Sequence, residues 1–454
     1  MERPKFTTLL AGAVVGVYLL VVAGATAALA DAAAACSGWP LCAPDSPGAF
    51  VALGHRAVAA LVGLLVAATA LIGWGDAAGR VRLALLAALA LYPVQVAMGA
   101  IVARVGGSGL APGVHLAVAM AIFGTLALAL AWQLEAETGT DDERAEQPAP
   151  ELPDPPESTV TFDSQLGRLR ATVGAYLRLT KPRLMWLLAL VAAAAMALAA
   201  GPELAVETVV YTLGGGVLAI GASGTFNHVL ERDIDRRMKR TSDRPLATEL
   251  VPVRNAVAFG LTLAALSVAA FLQVNPLAAA LGVVAIGFYS VVYTLILKPN
   301  TVQNTVIGGA AGALPALIGW AAVTGRVGLP GAVLAGVIFL WTPAHFYNLA
   351  LAYREDYARG GFPMLPVVRG ETVTRKHILW YLAATLAAAG TLAAVSGLGV
   401  VYAATTVLFG AVFLAAVVRL HRERTETAAF RAFHASNAYL GALLLAVVID
   451  SLAV

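Results

Sequence analysis

Charge is scarce in this sequence: Asp, Glu, Lys and Arg make up 13% of its 454 residues, against 59% hydrophobic ones. That scarcity excludes an ordinary soluble fold, which cannot hide so much apolar surface. Several uninterrupted apolar runs reach about 20 residues, the length that crosses a bilayer core. The formal net charge of +3 is too small and too dispersed for a nucleic-acid partner. Two cysteines, Cys36 and Cys42, exclude a disulfide framework. The first apolar run follows Lys5 as in a signal peptide, but it is too long for a signal h-region and leads into further runs, so it reads as a retained anchor. The remaining class is an all-α polytopic membrane protein.

Thirteen candidate spans are present. Four come first, at about 6–30, 50–74, 81–104 and 112–134, and nine follow, at about 183–201, 206–230, 253–273, 276–297, 301–323, 329–350, 377–397, 399–419 and 433–453. Between the two sets the composition changes. From Glu135 to Asp163 the chain is acidic and contains PAPELPDPPES, and acidic charge with proline and little apolar mass cannot build a core. The expected organisation is a four-helix membrane domain over residues 1–134, an acidic Pro-rich linker over 135–174 and a nine-helix bundle over 175–454. Basic residues concentrate after about 230 (Arg232, Arg236, Arg237, Lys239, Arg240, Arg244) and after about 350 (Arg354, Arg359, Arg369). These, with Arg80, Arg82, Lys298 and Arg419–Arg424, place the N-terminus, the linker and both charged loops in the cytoplasm of a multi-pass cell-membrane protein, and the C-terminus outside.

The sixth span runs into SGTFNHVLERDIDRRMKRTSDRPL, where Asn227, Glu231 and Asp235 are spaced by four and stack along one helix face. Carboxylates beside an apolar zone are costly and mark function, and Mg²⁺, which binds a few carboxylates and fills its other positions with water and phosphate oxygens, is the obvious occupant. Alone, the motif reads equally well as a charged helix anchor. A second loop after the tenth span supplies Glu355 and Asp356 on the same side, and two carboxylate clusters can hold metals across one diphosphate. Arg240, Arg244, Lys298 and Arg354 are candidate diphosphate contacts, with positive-inside anchoring the competing explanation for each.

The two aspartate-rich loops in a nine-helix bundle resemble the UbiA superfamily of intramembrane prenyltransferases. Within it, NHVLERDIDRRMKRTSDRPL, YTLILKPNTVQNTVIGGAAGALPALIGW and WTPAHFYNLALAYREDYARGGFPMLPVVRG are similar to the protoheme IX farnesyltransferase (haem O synthase) branch, over about residues 175–454. The resemblance implies farnesyl diphosphate and haem B as substrates, Mg²⁺ as cofactor, and transfer of the farnesyl group to a porphyrin vinyl group. One departure stands out: the family pattern has aspartate where Glu231 stands, so either the metal shifts or Asp233 shares its task. His345, near the end of the tenth span, reads either as facing haem or as a hydrogen-bonded core histidine. The runs at 214–216 and 308–312 read as close helix packing rather than phosphate loops.

In the front domain, His55 and His115 each stand near the start of a span at similar depth, and two such histidines either ligate a haem across a four-helix bundle or sit at wet helix ends. Cys36 and Cys42 leave both a disulfide and free thiols open. CSGWPLC, GHR at 54–56, QVAMG at 95–99 and HL at 115–116 resemble one half of haem A synthase, with Ala52 where that family often has glutamate. This resemblance implies a haem-binding or accessory role for residues 1–134 and makes haem A synthase a candidate protein partner. Competing expectations for the whole chain are a prenyltransferase for a quinone precursor or lipid acceptor, a transporter with buried charged gates, and a haem-binding electron carrier. A transporter would carry its carboxylates near the bilayer midplane, and an electron carrier leaves both carboxylate loops idle.

Overall fold

The computed structural model describes residues 6–29, 32–36, 38–105, 110–139 and 164–453. Asp141 to Asp163, the bulk of the acidic stretch, lie outside the described residues. Thirteen helices among them are long and apolar enough to cross a membrane. They are α1 Phe6–Leu29, α2 Pro47–Gly73, α3 Gly79–Val105, α4 Ala111–Thr138, α5 Pro182–Ala200, α6 Val206–Leu230, α7 Val253–Leu272, α8 Pro276–Asn300, α9 Asn304–Thr324, α10 Leu329–Ala352, α11 Glu371–Ser396, α12 Val400–Glu423 and α13 Glu426–Ala453. This is a multi-pass membrane protein.

Local chemistry explains where several helices begin. Ser46 accepts from the Ala49 amide at 3.2 Å with Pro47 opening α2, and Asn275 accepts from Ala278 at 2.8 Å with Pro276 opening α8. Some helices overrun the apolar segments expected from sequence. α4 continues to Thr138, α11 starts at Glu371 and α13 at Glu426. Hydropathy marks only the lipid-facing length, whereas the extra turns are polar and find partners. Glu135 accepts from Arg80 at 2.7 Å and Lys376 at 2.5 Å, and Glu137 from Gln133 at 3.0 Å and from Thr7. The fifteen-residue helix Gln165–Leu179, capped by Ser164, takes up the last part of the expected linker. The second half of α8, Phe288–Leu297, is π-helical.

By packing, the chain forms two units that cut across its order. Among the described residues, one holds those from 6 to 139 and from 375 to 446, and the other holds those from 164 to 374 and from 447 to 453. In the first, α1 meets α12 through a chain of buried hydroxyls: Tyr18 and Thr406 are 2.8 Å apart, and Thr406 and Tyr439 3.4 Å. Tyr402 donates to the Ala389 carbonyl at 2.8 Å.

In the second unit, glycines let backbones approach. Gly309 packs on Phe339 and Thr342, and Gly215 lies under the Phe271 ring. A Cβ on Gly319 of α9 would stand 2.3 Å from the Ala192 carbonyl oxygen of α5. That atom is backbone and cannot swing away, so Gly319→Val should force the two helices apart. The expected cost is about 2–3 kcal/mol, read as a melting midpoint several degrees lower for the solubilised protein, whereas Gly214→Ala, with open space around it, should leave the midpoint unchanged.

Candidate functional site

α6 ends at Leu230, and Glu231 breaks the helix at φ −97°, ψ 4° before the short turn Arg232–Asp235. The i→i−4 bonds nevertheless persist through the break: Glu231 N–H donates to Asn227 at 2.9 Å and Asp235 N–H to Glu231 at 2.8 Å. The three side chains therefore keep one stripe, and all are buried, at 2%, 4% and 3% exposure. Asp233 points out, pairs with Arg232 at 2.9 Å and keeps 66% of its side chain exposed. Of these two acids only Glu231 turns into the buried stripe.

Each buried oxygen meets a cation. Lys298 Nζ lies 2.5 Å from Glu231 Oε1, and Arg244 holds both oxygens of Asp235, at 2.7 and 2.8 Å, with Glu231 Oε2 at 3.8 Å. Lys181 donates to the Asn227 side-chain oxygen, and to the Tyr289 hydroxyl at 3.3 Å. Asn227 in turn donates to Thr294 at 3.2 Å. Burial works to raise the Glu231 pKa, but Lys298, Lys181 and Arg244 outweigh it and hold the carboxyl below its usual range. At Asp235 burial prevails and pushes the pKa up despite Arg244. Burial, then Arg244, pushes the Lys181 pKa down to about 8. Three cations face two carboxylates, a surplus that suits an anionic ligand, while two carboxylates and an amide oxygen suit a hard divalent cation.

Lys181 was not singled out from sequence. It follows an amphipathic helix and precedes Pro182, so it reads as an interfacial anchor. Its φ of 54° is left-handed, a conformation that costs a non-glycine residue of order 1–3 kcal/mol. The conformation aims it inward, where Gly224 permits the approach: a Cβ there would sit 2.9 Å from the Leu179 carbonyl and 3.3 Å from Lys181 Cγ. A lysine at the N-terminus of an apolar run, just before proline, was the available signal.

The second loop arrives differently from expectation. Asp356 accepts the backbone N–H groups of Lys239 at 3.1 Å and Arg240 at 2.9 Å, and pairs with Arg359 at 2.8 Å. It thus fastens the two loops together. Arg240 stacks on Tyr353 and Tyr357, at 5.1 and 5.6 Å from the ring centroids. Glu355 is 85% exposed and pairs with Arg359, and Arg354 pairs with Glu371 at 3.3 Å. Among the described residues no three His, Cys, Asp or Glu side chains cluster as a metal site. His345 stacks on Trp341, with ring centroids 4.2 Å apart.

Lys181 and Tyr289 also stand at the polar end of a cavity between α5, α6, α7, α8 and α9. Counting the part open to solvent, its space is about 750 Å³, and apart from these polar groups its walls are almost wholly apolar. In the first unit, Cys36 and Cys42 form a disulfide. Arg56 clasps that loop through the carbonyls of Cys36, Gly38 and Pro40, at 2.8, 2.7 and 3.0 Å. His55 lies beside Gly24 and His115 beside Gly99, and Gln95 Nε2 is 3.3 Å from His115 Nε2. Both Nδ1 atoms are buried without a hydrogen-bond partner.

The UbiA prenyltransferase family model matches residues 187–441. The chain belongs to this family. It is therefore a prenyltransferase enzyme embedded in the membrane. It is 67% identical to protoheme IX farnesyltransferase 1 of Natronomonas pharaonis over the whole of both chains. It is 65% identical to protoheme IX farnesyltransferase of Haloarcula marismortui, over all of this chain and 99% of that one. The first four spans lie outside the family match, yet these full-length alignments include them. A structure described as giving insight into digeranylgeranylglyceryl phosphate synthase in membranes shares the fold, with a TM-score of 0.53, 16% identity, and coverage of 62% of this chain and 99% of that one.

Within this prenyltransferase, the Arg244–Asp235 pair should be the most sensitive of the site contacts to truncation. Arg244→Leu leaves a buried carboxylate without its cation and should cost about 3–5 kcal/mol, seen as a large fall in the melting midpoint. The double variant Arg244→Leu/Asp235→Leu should recover most of that stability while remaining inactive.

Proposed function

We propose that the chain transfers a farnesyl group from farnesyl diphosphate to a vinyl group of haem B, producing haem O. The observation that carries the donor half is the oxygen triad and its three cations at the mouth of an apolar cavity. A polar end charged for diphosphate and a long greasy end for an isoprenoid meet at Lys181. The acceptor half is supported by the full-length relatives at 67% and 65% identity, both named protoheme IX farnesyltransferases.

Asn227, Glu231 and Asp235 are the residues that would hold Mg²⁺, and their hard oxygen donors on one stripe fit it. Bound there, the metal would supply Lewis-acid stabilisation of the diphosphate. Lys181, Lys298 and Arg244 already surround this stripe. When a diphosphate enters, they exchange carboxylate and amide partners for phosphate oxygens and stabilise negative charge as the allylic C–O bond breaks. The bonding electrons leave with the diphosphate, and the allylic carbon is attacked by the vinyl π-electrons. Water then adds to the resulting cation and loses a proton, leaving a hydroxyethylfarnesyl substituent. No protein nucleophile takes part. The apolar walls keep water from the allylic carbon before the acceptor arrives. Asp356 acts one step back: by binding the amides of Lys239 and Arg240 it holds the Arg240–Arg244 segment in place. The carboxylate loops are cytoplasmic, on the distribution of basic residues.

For the front helices we propose a haem held between His55 and His115. The support is the pair of half-buried imidazoles, each beside a glycine and each with a buried, unpartnered Nδ1.

Two measurements test these assignments. Labelled farnesyl diphosphate is offered to the purified chain with haem B or an aromatic acid. Farnesylated porphyrin is expected, abolished by EDTA and by Asp235→Ala and reduced at least tenfold by Asp356→Ala, and prenylation of the aromatic acid alone would refute the acceptor. Separately, the purified protein should show a haem absorption spectrum that weakens in His55→Ala/His115→Ala, and an unchanged spectrum in the double variant removes the ligand assignment.

A further inference from the structure

We propose that the Phe271 ring sets the length of prenyl chain the cavity accepts, an inference that rests on the prenyl-diphosphate reading of that cavity. Its polar end is marked by Lys181, Tyr289 and Gly224. Phe271, near the C-terminus of α7, lines the opposite end and is fully buried. Along α6, Gly215 lies twelve residues from Asn227, about 18 Å of helix rise. An extended farnesyl chain needs about 14 Å and a geranylgeranyl chain about 19 Å, at roughly 1.3 Å per C–C bond along the chain. With the diphosphate seated at the oxygen triad, the shorter chain fits above the Phe271 ring and the longer one reaches it.

The ring is held too firmly to swing aside. Its two sides are occupied by glycines on different helices, where an added Cβ would stand 3.0 Å from the ring at Gly215 and 2.6 Å at Gly282. One turn earlier, Ser267 donates to the Gly215 carbonyl at 2.7 Å and fixes α7 against α6 at this level. Ala278, Ala279 and Ile318 back the ring. A side chain this rigid is a stop rather than a gate. Gly216, one residue on, behaves oppositely: it lines the cavity and an added Cβ would meet nothing within 4 Å. It is an open position at which the cavity can be shortened without disturbing the helix contacts.

The test offers the purified full chain and haem B equal concentrations of the ten-, fifteen- and twenty-carbon prenyl diphosphates, with porphyrin products resolved by mass spectrometry. The native chain should favour the fifteen-carbon donor. Phe271→Ala should raise the twenty-to-fifteen selectivity ratio at least tenfold. Gly216→Val, which puts a side chain about 16 Å from Asn227 and above the ring, should lower the twenty-to-fifteen ratio at least tenfold while the fifteen-carbon donor is still used. If Phe271→Ala does not fold, Phe271→Leu and the Gly216 arm decide. Folded variants whose ratios match the native chain, or a native chain indifferent to donor length, overturn the ruler and leave the prenyl-transfer reading intact. Failure of the native chain to prenylate porphyrin from any donor overturns both.

Discussion

The site depends on one constraint: carboxylates buried at the end of a membrane-spanning helix must be matched by cations. Glu231 and Asp235 are almost wholly buried, and the surrounding elements converge on them to supply charge. Arg244 comes from the loop that follows, Lys298 from the last turn of α8, and Lys181 from the residue before α5. Two of the chain's five lysines are committed here. Because these partners are side chains on three separate elements, an anionic ligand entering here would find positive charge already in place.

The same constraint explains the second loop. A carboxylate such as Asp356 can be buried when backbone amides and an arginine satisfy it, and here those amides belong to Lys239 and Arg240. The bond ties the WTPAHF-containing segment to the NHVLERDID segment through main-chain atoms. This is a geometric tie that pattern matching between two acidic loops cannot distinguish from joint metal ligation.

The apolar part of the site follows a different rule. Cavities survive in membrane bundles where small residues meet large ones that cannot collapse onto them. Gly216, Ala219 and Ala311 give space, while Phe271 and Ile318 wall it. In the first unit the small residues serve the histidines instead: Gly24 and Gly99 let the His55 and His115 rings lie against neighbouring helices.

Composition and periodicity alone determined thirteen candidate membrane spans and that Asn227, Glu231 and Asp235 share a face. These are local properties, set by transfer free energy and helix pitch. Helix ends were read short because hydropathy ends where Glu135 or Glu371 begins, although paired charges extend the helix. The tertiary structure alone decided that Glu231 rather than Asp233 turns inward, that Lys181 completes the cation set, and that Asp356 holds a backbone loop. It also decided that α11, α12 and most of α13 pack in one unit with α1–α4. Each of these turns on which distant side chain or amide satisfies a buried charge or fills a gap, and a linear pattern carries no record of that choice.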